Sequence, residues 1–390
     1  MMNLKFLFLG IVIPFISAFA LVTWIHPLIV KLAKQKGMVD NPNARKLQKV
    51  PVPVMGGIAV FWGVVLGVGL TSAVFDSYIF FPAFVAITVM MYVGTLDDLI
   101  GLSAWLRLIV EFFVILFLIS TEHKFIDDFH GAFGIHQLNE YVGIALSSFV
   151  GVGIINSINL IDGVDGLSSG FCMFVCALFG YAFMTSGYGS MTVLAWICVA
   201  SLLPFFLHNV FGKTSKMFIG DSGTLMLGTL ISIFVFHILE TKSMVAYNYP
   251  NMGVVAFTLS ALSIPVFDTL RVMFLRMLRG GSPFHPDKSH LHHLFIEIGF
   301  SHIGTTVSVL SLNAFNVLCW FISYQLGASA TVQLLVVVMI GVFNTVGFYY
   351  IVRRLNHQRM PYKILKRIAA MSHIEAGCFF MSIRNFVDRH

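Results

Sequence analysis

Carboxylate and amide side chains recur in three short segments of the sequence between residues 97 and 221. An adjacent pair of aspartates comes first, four Asn and Asp residues at three-residue spacing follow, and one aspartate ends a Phe-Ile-Gly-Asp segment. These residues are Asp97, Asp98, Asn156, Asn159, Asp162, Asp165 and Asp221. Oxygen donors of this kind are preferred by Mg²⁺, which usually keeps several waters and binds substrate phosphates. The sequence therefore predicts a Mg²⁺ site at which a phosphorylated substrate reacts.

Glycines next to these acids predict close contact between backbone and phosphate. Gly163 and Gly166 separate and follow the aspartates of the second segment, where they give the backbone conformational freedom. The segment 218–223 opens a predicted helix, and the free N–H groups at a helix N-terminus favour phosphate. Both segments are therefore expected to face the phosphate groups of a substrate.

A histidine-rich segment with the order His-Leu-His-His ends at His293. Taken alone, histidines at this spacing can bind zinc, which stays an alternative. The segment also lies close to Arg276, Arg279 and Lys288, and these cations favour an anionic partner over a transition metal. We therefore interpret it as hydrogen bonding to a nucleotide diphosphate or a sugar.

The elements that position these residues must lie in a membrane. Hydrophobic residues make up 57% of the 390-residue chain and charged residues only 11%, whereas soluble domains carry about 25% charged residues. Apolar stretches of about 20 residues recur along the chain, which is long enough for a helix to cross a bilayer. They are apolar on all sides, unlike the alternating strands of a membrane barrel. The sequence predicts an all-α polytopic membrane protein.

Eleven transmembrane helices are predicted, which places the two termini on opposite sides of the membrane. The predicted spans are 4–27, 54–75, 78–96, 104–120, 141–158, 167–187, 190–211, 218–239, 252–276, 304–325 and 329–352. We divide the chain into a membrane catalytic domain, 1–352, and a basic tail, 353–390. The tail is expected to contact anionic lipids.

The distribution of Lys and Arg predicts the orientation of the spans. Cytoplasmic loops carry an excess of basic residues, so the connection after the first span and the basic tail are both cytoplasmic. The N-terminus is then periplasmic and the C-terminus cytoplasmic, with only Lys5, Lys124 and Lys242 of the 24 basic residues outside. This orientation also places all the acids described above on the cytoplasmic side, although they were not used to derive it. The active site is therefore predicted in cytoplasmic loops.

The motifs resemble those of the polyprenyl-phosphate N-acetylhexosamine-1-phosphate transferases. The likeness rests on the Asp97-Asp98 pair, segment 156–166, the Phe-Ile-Gly-Asp segment and the His-Leu-His-His segment, and it extends from Asp40 to about Phe300. The His-Leu-His-His form is similar to the bacterial branch that starts O-antigen and enterobacterial common antigen synthesis.

The resemblance implies a reaction in the bacterial inner membrane. GlcNAc-1-phosphate would pass from UDP-GlcNAc to undecaprenyl phosphate, leaving undecaprenyl-diphosphate-GlcNAc and UMP. Mg²⁺ would be the cofactor, and Mn²⁺ is expected to substitute for it. Other UDP-N-acetylhexosamine donors and a homodimer are left open, and no nucleic acid partner is expected.

The resemblance also implies roles for individual residues. The five aspartates Asp97, Asp98, Asp162, Asp165 and Asp221 would be catalytic, and Asn159, Asp221 and Asp97 would hold the metal. Asp97 and Asp98 would position or deprotonate the lipid phosphate near the metal. The substrate-binding residues would be Asp40, Arg45, Arg107, Asn156, Asn209, Lys216, Arg276, His290, His292 and His293. One departure affects the first loop, where relatives often carry Arg-Lys-Val-His but this chain has Gln48 in place of the histidine.

Several alternatives stay open at this point. Asp268 with Arg271, and Glu111 with Arg107, have helical spacing and could simply form ion pairs. An ion-coupled secondary transporter would use acids too, but near the bilayer midplane at broken helices. A zinc-dependent membrane hydrolase would depend on the histidines instead of Asp221.

Overall fold

The computed structural model describes residues 4–41, 50–283, 288–356 and 358–389. Apart from a two-residue antiparallel pair, β1 (Val39–Asp40) with β2 (Val52–Pro53), the regular structure of these residues is helical. The α-helices are α1 Ile13–Lys36, α2 Gly56–Leu70, α3 Phe81–Ile100, α4 Ala104–Glu122, α5 Glu140–Leu160, α6 Leu167–Thr185, α7 Gly189–Phe211, α8 Gly220–Leu239, α9 Met244–Asn248, α10 Val254–Ala261, α11 Ser263–Leu278, α12 Leu291–Ile298, α13 His302–Gln325, α14 Ala330–Val342, α15 Phe348–Arg354, α16 Met360–Met371 and α17 Cys378–Arg389.

The number of long apolar helices confirms the predicted class of fold. Ten helices in the described residues are long and apolar enough to cross a membrane, and a bent pair raises the number to eleven. The first span continues to Lys36 instead of ending near residue 27, because the helix accommodates Pro27 and ends at Gly37, where φ is +68°. The orientation of the termini stays a prediction.

The predicted ninth span is a broken helix. Helices α10 and α11 meet at Leu262 with a bend of 74°. The buried Asn313 of α13 lies at the break, where its Oδ1 accepts a hydrogen bond of 3.0 Å from the backbone N–H of Ile264 and its Nδ2 donates one of 2.9 Å to the carbonyl of Ala261. Backbone groups freed by a break within a membrane need such partners.

Helix α8 lies at the centre of the bundle, and its apolar window is completely buried. Small residues allow its neighbours to approach closely, as is common between membrane helices. A Cβ atom added at Gly94 of α3 would lie 2.4 Å from the carbonyl oxygen of Asp221, and one at Gly57 of α2 would lie 2.2 Å from the backbone nitrogen of Gly223. These contacts bring the end of α3 and the start of α2 against the beginning of α8.

The basic tail forms two further helices, α16 and α17, which the sequence analysis did not predict. Ser372, which ends α16, bonds to Ser301 at the start of α13, and α17 packs against the end of α7. The tail therefore lies against the end of the bundle that carries the predicted site. The division of the chain into two domains stays a prediction.

Candidate active site

A cavity of about 990 Å³ lies at the end of the bundle that holds the end of α3, the turn after α5 and the loop from α7 to α8. Segments far apart in sequence line it together, including the first-loop strand and the tail. The predicted site residues on its wall are Asp40, Asp98, Asp162, Asp165, Asn209, Lys216, Asp221 and His293. The structure thus brings residues from the four motif segments to one cavity.

The carboxylate of Asp98 caps the N-terminus of α8. Its two oxygens accept hydrogen bonds of 2.9 Å from the backbone N–H of Asp221 and 3.1 Å from that of Ser222. These N–H groups have no partner within the helix, so an acceptor there is stabilising. Gly220 precedes them with φ at +71°, and an added Cβ would lie 2.5 Å from Asp98 Oδ2. The Gly-Asp sequence is therefore required by the close approach of the capping acid.

Arg107 of α4 lies between two of the predicted catalytic acids. Its Nη1 is 2.6 Å from Asp97 Oδ2 and 3.7 Å from Asp221 Oδ2. The other oxygen of Asp97 accepts a hydrogen bond of 2.6 Å from the backbone N–H of Leu102, which fixes the turn after α3. Arg107 therefore pairs with Asp97 instead of Glu111, so the ion pair suggested by helical spacing is not formed.

The two asparagines of segment 156–166 have different surroundings. Asn159 Nδ2 donates to Asp221 Oδ1 at 2.6 Å and to Thr224 Oγ1 at 2.9 Å, so this side chain joins α5 to the start of α8. Asn156 donates instead to the fully buried Glu111 and to the carbonyl of Val152. The predicted role of Asn156 in substrate binding stays a prediction, but its contacts are within the helices and not on the cavity wall.

The turn between α5 and α6 carries two acids in unlike environments. Burial raises the pKa of Asp162 to about 7, against the opposing hydrogen bond from Ser168. Burial would also raise the pKa of Asp165, but His302 Nδ1 at 2.8 Å and Lys216 Nζ at 2.5 Å from its Oδ2 lower it below its ordinary value. Asp165 is therefore the charged partner of Lys216.

Asn209 connects this turn to the loop before α8. Its Oδ1 accepts a hydrogen bond of 2.6 Å from the backbone N–H of Gly166, and its Nδ2 donates one of 2.8 Å to the carbonyl of Met217. Gly166 has φ at +76°, which a side chain would disfavour. Asn209 therefore fixes two walls of the cavity relative to each other, in addition to lining it.

The histidine-rich segment is anchored by a buried aspartate. Asp268 accepts hydrogen bonds from Arg271 Nη2 at 2.7 Å, from His290 Nδ1 at 2.9 Å and from the backbone N–H of Leu291 at 3.1 Å. The predicted pairing of Asp268 with Arg271 is confirmed. The acid also caps α12, and so it sets the position of the histidines.

Three of the four predicted ligands in this region are not on the cavity wall as the described residues define it. Arg276 donates to the carbonyl of Pro283 at 2.6 Å, and His290 is turned to Asp268. His292 packs on the turn after α5, where a Cβ added at Gly163 would lie 2.4 Å from its Nε2. Burial, followed by the neighbouring His293 and His290, lowers the pKa of His292 well below its ordinary value, so its ring is neutral. Only His293 lines the cavity, and the roles of the other three stay predictions.

The donor set of the described residues is compatible with Mg²⁺ and forms no zinc centre. Among the described residues, no group of three or more His, Cys, Asp or Glu side chains is arranged to bind a metal. A Mg²⁺ site needs only one or two carboxylates, because waters and substrate phosphates supply the remaining ligands. The side chain of Asp221 is 33% exposed beside Asn159, and the buried Asp165 Oδ1 has no hydrogen-bond partner within the described part of the chain. Asp221 and Asn159 are the residues that would hold the ion. Asp97, the third predicted ligand, has its two oxygens bonded to Leu102 and Arg107, and its metal role stays a prediction.

Several residues that contact the site or line the cavity could not be predicted from motif spacing. His302, which bonds Asp165, lies 137 positions further along the chain. The tail residues His373, Glu375, Phe380 and Arg384 also line the cavity. Their only sequence signal was the apolar and basic character of the tail. Arg45 and the departure at Gln48 lie outside the described residues.

Comparison with known proteins places this polytopic membrane protein among the glycosyltransferases. The model of glycosyl transferase family 4 matches residues 80–238, which include α3 to α8 and most of the site. The chain belongs to this family.

Its relatives identify the branch that it resembles. It is 32% identical over 297 residues to a probable undecaprenyl-phosphate N-acetylglucosaminyl 1-phosphate transferase of Bacillus subtilis (strain 168), covering 75% of this chain and 79% of the relative. It is 29% identical over 290 residues to the undecaprenyl-phosphate alpha-N-acetylglucosaminyl 1-phosphate transferase of Escherichia coli (strain K12), covering 73% and 76%. The enzyme of the same name in Salmonella typhimurium (strain LT2) is 29% identical over 291 residues, with the same coverage.

Proposed function

We propose that the chain transfers GlcNAc-1-phosphate from UDP-GlcNAc to undecaprenyl phosphate, with Mg²⁺ as cofactor. The products are undecaprenyl-diphosphate-GlcNAc and UMP. The names of the relatives support this reaction. We place it on the cytoplasmic side of a bacterial inner membrane, as the first membrane step of O-antigen or enterobacterial common antigen synthesis.

One observation carries the proposal. Asp98 bonds the backbone of Asp221, Asn159 bonds its side chain, and Arg107 lies between Asp221 and Asp97. Acids and a cation from three separate segments therefore meet at the start of one helix beside a cavity. This arrangement suits the joining of two phosphate-bearing molecules.

The chemistry needs charge neutralisation more than a general base. A phosphate monoester has a second pKa near 6, so the lipid phosphate is largely dianionic at neutral pH and is already a nucleophile. Its oxygen attacks the phosphorus attached to the sugar, and the bond to UMP breaks. Mg²⁺, when bound, neutralises the diphosphate charge and orients it.

We assign different cationic residues of the chain to the two substrates. Arg107, paired with Asp97, is on the side that we assign to the lipid phosphate. Lys216, paired with Asp165, lies on the cavity wall that we assign to the donor. Holding both substrates in line removes much of the entropic barrier.

The test is an assay of purified protein with undecaprenyl phosphate and a panel of UDP-sugars. UMP release and lipid-linked product are measured for UDP-GlcNAc and for UDP-FucNAc-type and UDP-QuiNAc-type donors. We expect turnover with UDP-GlcNAc to exceed turnover with the others. Faster turnover with another donor would change the proposed substrate but not the reaction, whereas no UMP release with any donor would refute the reaction.

Variants of the aspartates test whether these residues are required for the transfer reaction. We expect Asp97→Asn, Asp98→Asn and Asp221→Asn to insert normally but to lose at least about 100-fold in turnover, as expected when charge stabilisation is removed. Asp76→Asn is the control, because Asp76 is exposed at the other end of α3. Near-normal turnover in any two of the three site variants would remove the proposed site.

A further inference from the structure

The loop 212–217 carries Lys216 between α7 and α8. The Lys216 Nζ lies 2.5 Å from Asp165 Oδ2, and both residues line the cavity. A cation at the end of a loop is useful for binding a diphosphate only if the loop backbone is fixed, because a displacement of about 1 Å can cost 100-fold in rate. The contacts that fix this loop therefore decide how well Lys216 is positioned.

The membrane body holds the carbonyl groups of the loop. The carbonyl of Thr214 accepts a hydrogen bond of 2.7 Å from Lys34 Nζ, and that of Ser215 bonds His26 Nε2 at 2.9 Å. Both partners lie on α1. Helix α1 thus binds two carbonyl groups of the loop, and the N–H groups of the loop need other partners.

The C-terminal helix holds the N–H groups. The carboxylate of Asp388 accepts hydrogen bonds from the backbone N–H of Lys213 at 3.0 Å, of Thr214 at 3.1 Å and of Ser215 at 3.1 Å, and from Ser215 Oγ at 2.8 Å. Partial burial would raise the pKa of Asp388, but the N–H donors of Ser215 and Lys213 lower it below its ordinary value. Asp388 therefore binds the loop as a carboxylate, and such charge-assisted bonds are stronger than neutral ones.

Helix α17 is docked where Asp388 can reach the loop. The rings of Phe380 and Phe211 lie 4.7 Å apart, and Arg384 Nε donates to the carbonyl of Phe211 at 3.2 Å. Val387 of the same helix is buried. Phe380 and Arg384 also line the cavity, so the helix contributes directly to its wall.

We propose that α17 is part of the donor site, in which Asp388 is a positioning residue that fixes loop 213–215 and thereby Lys216. This rests on the proposed function, because the donor is the diphosphate that Lys216 would meet. Asp388 does not touch the substrate itself. It acts on donor affinity through the loop backbone.

The kinetic test compares Asp388→Ala, Asp388→Asn and the wild type in the UMP-release assay. We expect Asp388→Ala to raise KM for UDP-GlcNAc about tenfold, the size of effect that loss of a hydrogen bond to a charged group gives. Asp388→Asn keeps an acceptor oxygen and should fall between the two. KM for undecaprenyl phosphate should change less than about twofold in both variants.

The matched control is Asn385→Ala, since Asn385 is exposed on the same helix, one turn before Asp388. It should leave both KM values unchanged. A chain ending at Gly377 removes α17 and should reproduce the KM change of Asp388→Ala. If that shortened chain does not fold, the point variants still decide the question.

Hydrogen exchange at the amides of residues 213–215 provides a second readout. We expect faster exchange in Asp388→Ala together with the higher KM. Faster exchange with an unchanged KM would overturn the inference, and so would a lower KM, which would make the tail an inhibitor of the site. An inactive wild type would instead refute the proposed function.

Discussion

The Oδ1 atom of Asp98 accepts a hydrogen bond of 2.9 Å from the backbone N–H of Asp221, which lies 123 residues further along the chain. The second acid of the Asp-Asp motif is therefore a helix cap as well as a member of the site. Its position fixes the first turn of α8, and that turn carries the acid we expect to hold the metal. Stability and catalysis should thus be linked at Asp98.

Replacing Asp98 separates these two contributions. We expect Asp98→Ala to lose activity and to lower Tm, because two N–H groups at the start of α8 lose their acceptor, at a cost of about 1–2 kcal/mol. Asp98→Asn keeps one acceptor oxygen and should lower Tm less, while activity is still lost. Thermal unfolding in detergent with the assay above checks both, and equal Tm values for the two variants would argue against the capping role.

Glycine at position 220 is required by the same contact. Gly220→Ala places a Cβ 2.5 Å from Asp98 Oδ2 and imposes a side chain at φ +71°, so we expect displacement of Asp98 and at least about tenfold lower turnover. Gly153→Ala is the matched control, because a Cβ there meets no atom within 4 Å. Equal activity of the two variants would contradict the proposed contact.

The pH dependence of stability should reflect the protonation of the buried Asp162. Because burial raises its pKa from 3.8 to about 7, the folded protein keeps a proton that the unfolded chain has lost between these values. Stability therefore falls as pH rises through this range. We expect Tm of the metal-free protein to decrease between about pH 4 and about pH 7, and Asp162→Asn to flatten this decrease. An unchanged slope in the variant would show that Asp162 is not the group responsible.

The general architecture could be predicted because the bilayer imposes simple rules. The lengths of the hydrophobic stretches determined the predicted spans. The all-α membrane fold with about eleven transmembrane helices is confirmed. The break at Leu262 could not be predicted, because its freed backbone groups bond to Asn313. This residue lies 49 positions after Ile264 and 52 after Ala261. Periodicity describes a segment and carries no information about such distant partners.

The same limit applies to the site. Motif spacing correctly grouped Asp98, Asn159 and Asp221, because each lies at the end of a span on one side of the bundle. It did not reveal that Arg107 prefers Asp97 to Glu111, or that Asp388 bonds loop 213–215. These pairings depend on how helices pack, which single-sequence spacing does not encode.

Removal of divalent cations tests the metal. We expect chelation to abolish transfer, Mg²⁺ or Mn²⁺ to restore it and Zn²⁺ not to, because oxygen donors and phosphates favour hard cations. Asp221→Glu should retain some activity but need more Mg²⁺ for half-maximal rate. Restoration by Zn²⁺ alone would favour a hydrolase built on the histidines.

Asp268 does not line the cavity, but we expect it to contribute strongly to the stability of the protein. Asp268→Asn leaves the buried Arg271 without its charged partner and keeps a single acceptor oxygen where Asp268 accepts from Arg271, His290 and Leu291. Breaking a buried pair costs about 3–5 kcal/mol. We expect a Tm lower by about 5 °C or more, with reduced turnover because α12 and His293 move. Glu297→Gln is the control, since its pair with Arg353 is exposed and such pairs contribute about 0–1 kcal/mol. Comparable Tm changes in the two variants would contradict the anchoring role of Asp268.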